Sequence, residues 1–228
     1  MVKRLFDIIL SLISLIFFAP IFIVAALGIK VSSRGPILYR AARVGKNGKT
    51  FTMYKFRTMH EDHGSFSSAI TGIKDPRISR FGSLLRRLKI DELPQLFNVV
   101  KGDMSIVGPR PEDPQIVNKY YTPEHYETLT VLPGLASPGS IYNYTHDKQY
   151  LANDNYEKSY VERLLPVKLA LERVYVKEAS FFYDLRIIIR TIRIILSIAL
   201  GKRNFPEPVE IEKISTLDSV KTTKKVLQ

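Results

Sequence analysis

The residues best suited to chemistry lie between positions 75 and 111, which read DPRISRFGSLLRRLKIDELPQLFNVVKGDMSIVGPRP. Asp91 and Glu92 are adjacent carboxylates, preceded by Arg77, Arg80, Arg86, Arg87 and Lys89 and followed by Arg110 between Pro109 and Pro111. Dense positive charge of this kind lets a diphosphate approach an anionic nucleophile without mutual repulsion. Leu93, Leu96, Phe97 and Val100 recur at helical spacing, Pro94 is tolerated in a first turn, and Gly102 follows the last apolar position as a stop. The spacing predicts a helix with Asp91 at its N-cap, where the helix dipole keeps a carboxylate ionised and a phosphate can be held. Glu92, with Asp91, is a candidate oxygen ligand set for Mg²⁺, which commonly bridges protein carboxylates and substrate phosphates. Arg110 is displayed on stiff, extended backbone, because proline fixes its own φ and restricts the residue before it. The competing reading is structural: an acidic cap, a solvated face at Arg86 and Arg87, and a rigid turn at residues 109–111.

Other elements must hold these groups in place. Residues 36–44 and 49–56 are β-prone runs joined by Gly45-Lys-Asn-Gly48, a strong hairpin signal. Alternation within Lys55-Phe-Arg-Thr-Met59 puts Lys55 and Arg57 on one face, either as charge support for the site or as a basic strand edge. Residues 5–29 (LFDIILSLISLIFFAPIFIVAALGI) form an almost continuous apolar run, long enough to cross a bilayer. Pro20 lies near its centre and bends it, while Lys3, Arg4, Lys30 and Arg34 put positive charge at both ends. Charge rules then favour both ends on the cytoplasmic side, and a kinked, re-entrant helix satisfies both facts if its break is locally compensated. A cleaved signal segment is the alternative, but the run is long for one and Ile29-Lys30-Val31 lacks a small-residue cleavage pattern.

Residues 181–200 (FFYDLRIIIRTIRIILSIAL) carry Arg186, Arg190 and Arg193 along one helical face of an otherwise aliphatic stretch. That pattern suits a helix lying in a membrane interface, or a buried amphipathic core helix. Residues 164–175 are expected to be an amphipathic helix bearing Glu172, residues 114–126 a helical connector with breaks, and residues 132–140 a turn-rich loop. The histidines and acids of residues 60–68 match no zinc spacing and read as a solvated loop. No internal repeat is present, and with no cysteine there is no disulfide or thiolate metal site. The division expected is a re-entrant membrane helix at 1–35, a catalytic domain at 36–202 and a mobile tail at 203–228.

The 34 basic and 22 acidic residues leave a net charge of +12, suited to anionic membranes, phosphorylated substrates or nucleic acid. A nucleic-acid-binding protein would waste the apolar N-terminus and shows no reader motif, while a non-enzymatic basic membrane scaffold explains the charge but not the carboxylates.

The ordered set of motifs closely resembles the bacterial sugar transferase family, the small monotopic polyprenyl-phosphate phosphoglycosyl transferases. The resemblance covers residues 2–200 and rests on the Lys3-Arg-Leu-Phe-Asp7 opening, the proline-kinked apolar run, Lys55-Phe-Arg-Thr-Met59, Asp75-Pro-Arg77, Asp91-Glu-Leu-Pro-Gln-Leu-Phe-Asn98, Lys101-Gly-Asp-Met-Ser105 and Val107-Gly-Pro-Arg-Pro111. It implies an α+β, mostly helical fold with a re-entrant membrane helix, one β-hairpin, and amphipathic interfacial helices around the active site. It also implies Mg²⁺-dependent double displacement at the cytoplasmic face of the bacterial inner membrane, with a UDP-sugar as donor and undecaprenyl phosphate as acceptor. In that scheme Asp91 is the nucleophile, Glu92 helps hold the metal, Arg86 and Arg110 contact phosphate, and Lys55 and Arg57 support the charge. Arg77, Glu172 and Asp184 are further candidates at family positions. Implied partners are the bilayer, downstream glycosyltransferases and a second copy of the chain, with nucleic acid excluded. This chain has Ala19-Pro20 where the family commonly has Ser-Pro, Pro133-Gly-Leu-Ala-Ser-Pro138 in place of Pro-Gly-Ile-Thr-Gly, and Glu172 in place of a late Asp. The transferred sugar therefore does not carry over from relatives.

Overall fold

A computed structural model describes residues 2–60, 75–150 (side chains to 146) and 156–214. Helices α1 (Val2–Phe17) and α2 (Ala19–Ser32) are bent by 60° where they meet. Pro20 falls in the first turn of α2, where its missing N–H costs no helical bond. Backbone bonds from Phe18 to Ser14 (2.9 Å) and from Phe22 to Phe18 (3.0 Å) bridge the break, so Ala19-Pro20 makes the bend without a side-chain hydroxyl. Among the described residues no single helix is long and apolar enough to cross a membrane, whereas this bent pair passes that test together.

The hairpin forms as the Asn-Gly signal predicts. β1 (Leu38–Val44) pairs antiparallel with β2 (Thr50–Phe56) in a register that sets Val44 opposite Thr50 and Tyr39 opposite Lys55. Asn47 (φ 57°) and Gly48 (φ 73°) supply the left-handed conformation that reverses the chain. Next come α3 (Arg80–Arg87), capped by the Ser79 hydroxyl accepting from the Gly82 N–H at 2.8 Å, a 3₁₀ turn at Ile90–Glu92, and α4 (Gln95–Lys101), stopped at Gly102. The chain continues through β3 (Ser105–Val107), α5 (Pro114–Tyr120), a 3₁₀ turn (His125–Leu129) and β4 (Gly134–Ala136). It ends in α6 (Pro138–Tyr150), α7 (Tyr156–Ser159), a single π turn (Tyr160–Leu164), α8 (Leu165–Glu178) and α9 (Phe181–Ala199).

Two sequence expectations change. The loop expected at residues 132–140 contains β4, which pairs parallel to β3 in a second two-stranded sheet. Gly134 is required there, since a Cβ would lie 2.1 Å from the Gly108 nitrogen. Helix α8 is not amphipathic: Leu165, Lys168, Leu169, Leu171, Glu172, Arg173, Val174 and Tyr175 are all buried, which makes it a central helix with paired charges. The main core joins α4, β3, α6, α8 and α9 through Val99, Met104, Val107, Ile141, Tyr175 and Ile187.

Helix α1 is fixed to the back of this core by polar contacts. Arg4 caps the C-terminal carbonyls of α4, reaching Val99 O at 2.7 Å and Val100 O at 3.1 Å. Asp7, 1% exposed, accepts from the Ser105 hydroxyl (2.7 Å) and the Ile106 N–H (3.1 Å) of β3. In the segment expected to be a tail, Glu210 is 1% exposed and bonds the Arg190 guanidinium (3.0 Å) and the Tyr183 hydroxyl (2.8 Å), while residues 215–228 lie outside the described residues. The loop expected at 60–68 also lies outside them, apart from His60.

Candidate active site

Asp91 and Glu92 occupy the short turn between α3 and α4, at the floor of a cleft of about 1820 Å³. Both are buried, Asp91 to 7% and Glu92 to 8% exposure, but their surroundings differ. Glu92 is saturated: it accepts two bonds from the Arg110 guanidinium, one from Lys55 Nζ (3.0 Å) and one from the Tyr144 hydroxyl (2.9 Å). Burial alone would raise the pKa of its carboxyl, but the charges of Arg110, Lys55 and Lys89 outweigh that and hold it well below the ordinary value. Asp91 has no comparable set of donors. Its Oδ1 is buried with no hydrogen-bond partner, and burial together with the Glu92 charge pushes its pKa up against the pull of Lys55, Lys89 and Arg86.

This corrects the expectation that Asp91 caps a helix. Pro94 occupies the N-cap position of α4 and no side chain caps it. The carboxylates lie within the 3₁₀ turn, with Leu93 and Pro94 between them and α4, so Asp91 is not the helix cap and the charges that favour its ionised form are those of Lys55, Lys89 and Arg86. The consequence is an underbonded carboxylate on a residue that lines a cleft rimmed by positive charge, which suits a nucleophile or a ligand of a hard cation.

The cations come from separate elements. Lys55 reaches in from β2, and Arg86 projects from α3 with its Nε on the Thr58 hydroxyl at 2.8 Å. Arg110 leaves β3 on the Pro-Arg-Pro backbone and is held from behind, because its N–H donates to Glu172 Oε1 at 3.1 Å. That same oxygen accepts from the Ser137 hydroxyl (2.7 Å), while Glu172 Oε2 has no partner. With 1% exposure, burial raises the Glu172 pKa to about 7, against the lowering effect of Ser137, Lys168 and Arg110. Opposite these charges, Phe22, Ile23 and Ala26 of α2 and Phe97 of α4 line the cleft with apolar surface. One cavity thus joins a polar floor to the side of the bent helix pair.

A model of the family described as bacterial sugar transferase matches residues 1–198. The chain belongs to the bacterial sugar transferase family. A UDP-N-acetylgalactosamine-undecaprenyl-phosphate N-acetylgalactosaminephosphotransferase of Aeromonas hydrophila is 34% identical over 199 residues, covering 86% of this chain and 44% of that protein. A UDP-glucose:undecaprenyl-phosphate glucose-1-phosphate transferase of Xanthomonas campestris pv. campestris is 38% identical, covering 83% of this chain and 37% of that protein. The exopolysaccharide production protein PSS of Rhizobium leguminosarum bv. phaseoli is 35% identical, covering 83% of this chain and 92% of that protein. The chain spans less than half the length of the first two relatives.

In this member of the family the structure gathers Asp91, Glu92, Lys55, Arg86 and Arg110 around one cleft. Arg57 also lines it, but its guanidinium donates to the carbonyls of Ser33 (3.0 Å) and Arg34, clasping the C-terminal end of α2. Arg77 at the rim forms a two-point pair with Asp75 through Nε (2.9 Å) and Nη2 (2.6 Å). Glu172 lies beneath Arg110. Asp184 is away from the cleft and binds Lys3 Nζ (2.5 Å) and the Tyr175 hydroxyl (2.8 Å), tying α1 to α9.

Sequence reasoning missed Tyr144 on α6, which bonds both Glu92 and Arg110 (3.1 Å). It also missed the buried Lys168–Glu112 ion pair in the cleft wall, joined by the Tyr160 hydroxyl donating to Glu112 Oε1 at 2.6 Å. Lys168 had a local signal, a lysine in the middle of an apolar helix. Tyr144 had none, because its partners lie 52 and 34 residues away.

Proposed function

We infer that this chain transfers a phosphosugar from a UDP-sugar to undecaprenyl phosphate, releasing UMP and producing a polyprenyl-diphosphate sugar. The observation that carries the reading is the inequality of the two carboxylates. Glu92 is fully bonded and ionised, whereas Asp91 keeps one buried oxygen unpartnered at the floor of a cation-rimmed cleft. In the first displacement an Asp91 carboxylate oxygen attacks the phosphorus bearing the sugar, the bond to the bridging oxygen breaks, and UMP leaves with the bonding electrons. In the second, a phosphate oxygen of the polyprenol acceptor attacks the same phosphorus and expels the Asp91 carboxylate. Lys55, Arg86 and Arg110, which line the same cleft, offset the charge of the phosphates.

The unpartnered Asp91 oxygen is the available protein ligand for Mg²⁺, with substrate phosphates and water completing the shell, and Glu92 could join it only by exchanging a donor among Arg110, Lys55 and Tyr144. Bound there, Mg²⁺ would neutralise charge developing on the phosphates. Seating at the cytoplasmic face of the inner membrane is supported by exposed apolar stripes: Leu5, Ile9, Leu12 and Ile16 on α1, Val24, Leu27 and Val31 on α2, and Leu185, Ile189, Ile192 and Leu196 on α9. The exposed Arg186 and Arg193 flank the last of these at the level of lipid phosphates. The apolar wall of the cleft at Phe22 and Ile23 then opens toward the lipid acceptor, and α9 serves as an interfacial helix.

The test is UMP release from purified protein in detergent with polyprenol phosphate, Mg²⁺ and a panel of UDP-sugars. At least one sugar should give turnover, and Asp91→Asn should abolish both turnover and any covalent phosphosugar on the protein. Undiminished activity in that variant would remove Asp91 as nucleophile, and silence across a broad panel would defeat the reading.

A further inference from the structure

Two non-glycine residues have positive φ among the described residues: Asn47 in the hairpin turn and Lys89, at φ 57° and ψ 19°, two positions before Asp91. Asparagine tolerates that conformation, while a side chain as long as lysine gains nothing from it and pays the steric cost of its Cβ. The position itself requires the left-handed turn. The Lys89 N–H closes α3 on Arg86 O at 3.1 Å, and its carbonyl accepts from the Glu92 N–H at 3.3 Å, so this residue swings the chain from α3 into the carboxylate turn. Glycine would do this without strain. The lysine side chain therefore needs a separate reason to be there, and strained residues of this kind concentrate where side chains act on ligands.

Its environment supplies the reason. Lys89 Nζ lies 3.7 Å from the centroid of the Tyr144 ring, in the cleft that also presents Asp91, Glu92, Lys55 and Arg110. It forms no ion pair among the described residues. Glu92, the nearest saturated carboxylate, is already taken by Arg110, Lys55 and the Tyr144 hydroxyl. A cation resting on an aromatic face is held by a modest interaction that an anion outcompetes. We propose that Lys89 is a phosphate-binding residue of the cleft: its ammonium leaves or turns on the Tyr144 ring to contact the diphosphate, and the strained backbone at 89 is kept for that contact. This rests on the reading of the cleft as a diphosphate site, and adds a fourth phosphate-directed cation to Lys55, Arg86 and Arg110.

Two variants separate charge from backbone. Lys89→Gly removes the charge and the strain, and Lys89→Met removes the charge alone. Inorganic pyrophosphate with Mg²⁺ is titrated calorimetrically into wild type and both variants in detergent, with unfolding midpoints measured on the same samples. Both variants should bind about tenfold more weakly, the size of one lost charge-assisted contact, while the glycine variant keeps a midpoint at least as high as wild type. Wild-type affinity in both variants would overturn the proposal and leave the diphosphate reading standing. Weakening in Lys89→Gly alone would also overturn it, since the effect would then belong to the backbone. Absence of binding by the wild-type protein would overturn both.

Discussion

Glu172→Gln offers a test of the site's electrostatics that does not depend on turnover. Glu172 is 1% exposed, with a carboxyl raised by burial from 4.5 to about 7. Between those values the folded protein holds a proton on this group that the unfolded chain has released, so stability falls as pH rises through the window. At about 1.36 kcal/mol per pH unit, the full loss is about 3 kcal/mol, and between about pH 5 and about pH 8 it is about 2.5 kcal/mol. Glutamine keeps the oxygen that accepts from Ser137 and from the Arg110 N–H, and places an amide nitrogen where Oε2 already lacks a partner. Any cost of that nitrogen is the same at both pH values, as are the titrations of all other groups, so both cancel in the comparison. The assay is urea unfolding in detergent, followed by far-ultraviolet circular dichroism, for wild type and variant at each pH. The stability gap should move by about 2.5 kcal/mol in favour of the variant between about pH 5 and about pH 8. A gap unchanged across that range would mean that Glu172 titrates normally, and that the support beneath Arg110 is not a desolvated carboxyl.

Asn98→Ala should be the more severe structural lesion, because the Asn98 side chain accepts from Tyr54 N–H (3.0 Å) and donates to Thr52 O (2.7 Å), joining α4 to the strand that carries Lys55. Two half-buried hydrogen bonds lost together correspond to about 2 kcal/mol, read as a lowered unfolding midpoint, and a loss under about 0.5 kcal/mol would refute that role. For the bent helix pair, single cysteines introduced at Val2 and at Ser33 should both react with an impermeant reagent only from the cytoplasmic side of membrane vesicles; labelling from opposite sides would mean a spanning helix.

What the sequence shows of this fold is what is local. The Asn47-Gly48 reversal, the stop at Gly102 and the Pro20 bend each depend on the backbone preferences of one or two residues, and each forms where those preferences place it. The clustering of Lys55, Arg86 and Arg110 about Asp91 and Glu92 was legible through family motifs, although they come from four elements. The β3–β4 pair was not legible, since three-residue strands carry no period and what fixes them is a close backbone crossing at Gly108 and Gly134. The state of Asp91 was misread for a related reason. Local pattern suggested a cap, but burial and Glu92 set its proton affinity, and burial is a property of the assembled protein.

The opening Lys3-Arg-Leu-Phe-Asp7 gains a meaning that charge rules alone did not give it. Positive charge at a membrane-helix end favours the cytoplasmic side, yet here each polar residue also has a particular partner in the body of the fold. Arg4 caps the far end of the helix that follows Asp91, Asp7 fastens to β3, and Lys3 binds Val107 O (3.1 Å) at the strand leading to Arg110. At the other end of the pair, Arg57, two residues beyond Lys55, clasps the carbonyls that finish α2. Both ends of the apolar hairpin are thus bound to segments adjoining the reactive carboxylates and their cations. Because packed elements move as units, seating α1 and α2 in a bilayer, as the proposed function has it, would fix the height of Asp91 above it. Under the proposed function a water-soluble donor and a lipid-bound phosphate would reach that residue in turn, and this bracing would set one distance for both.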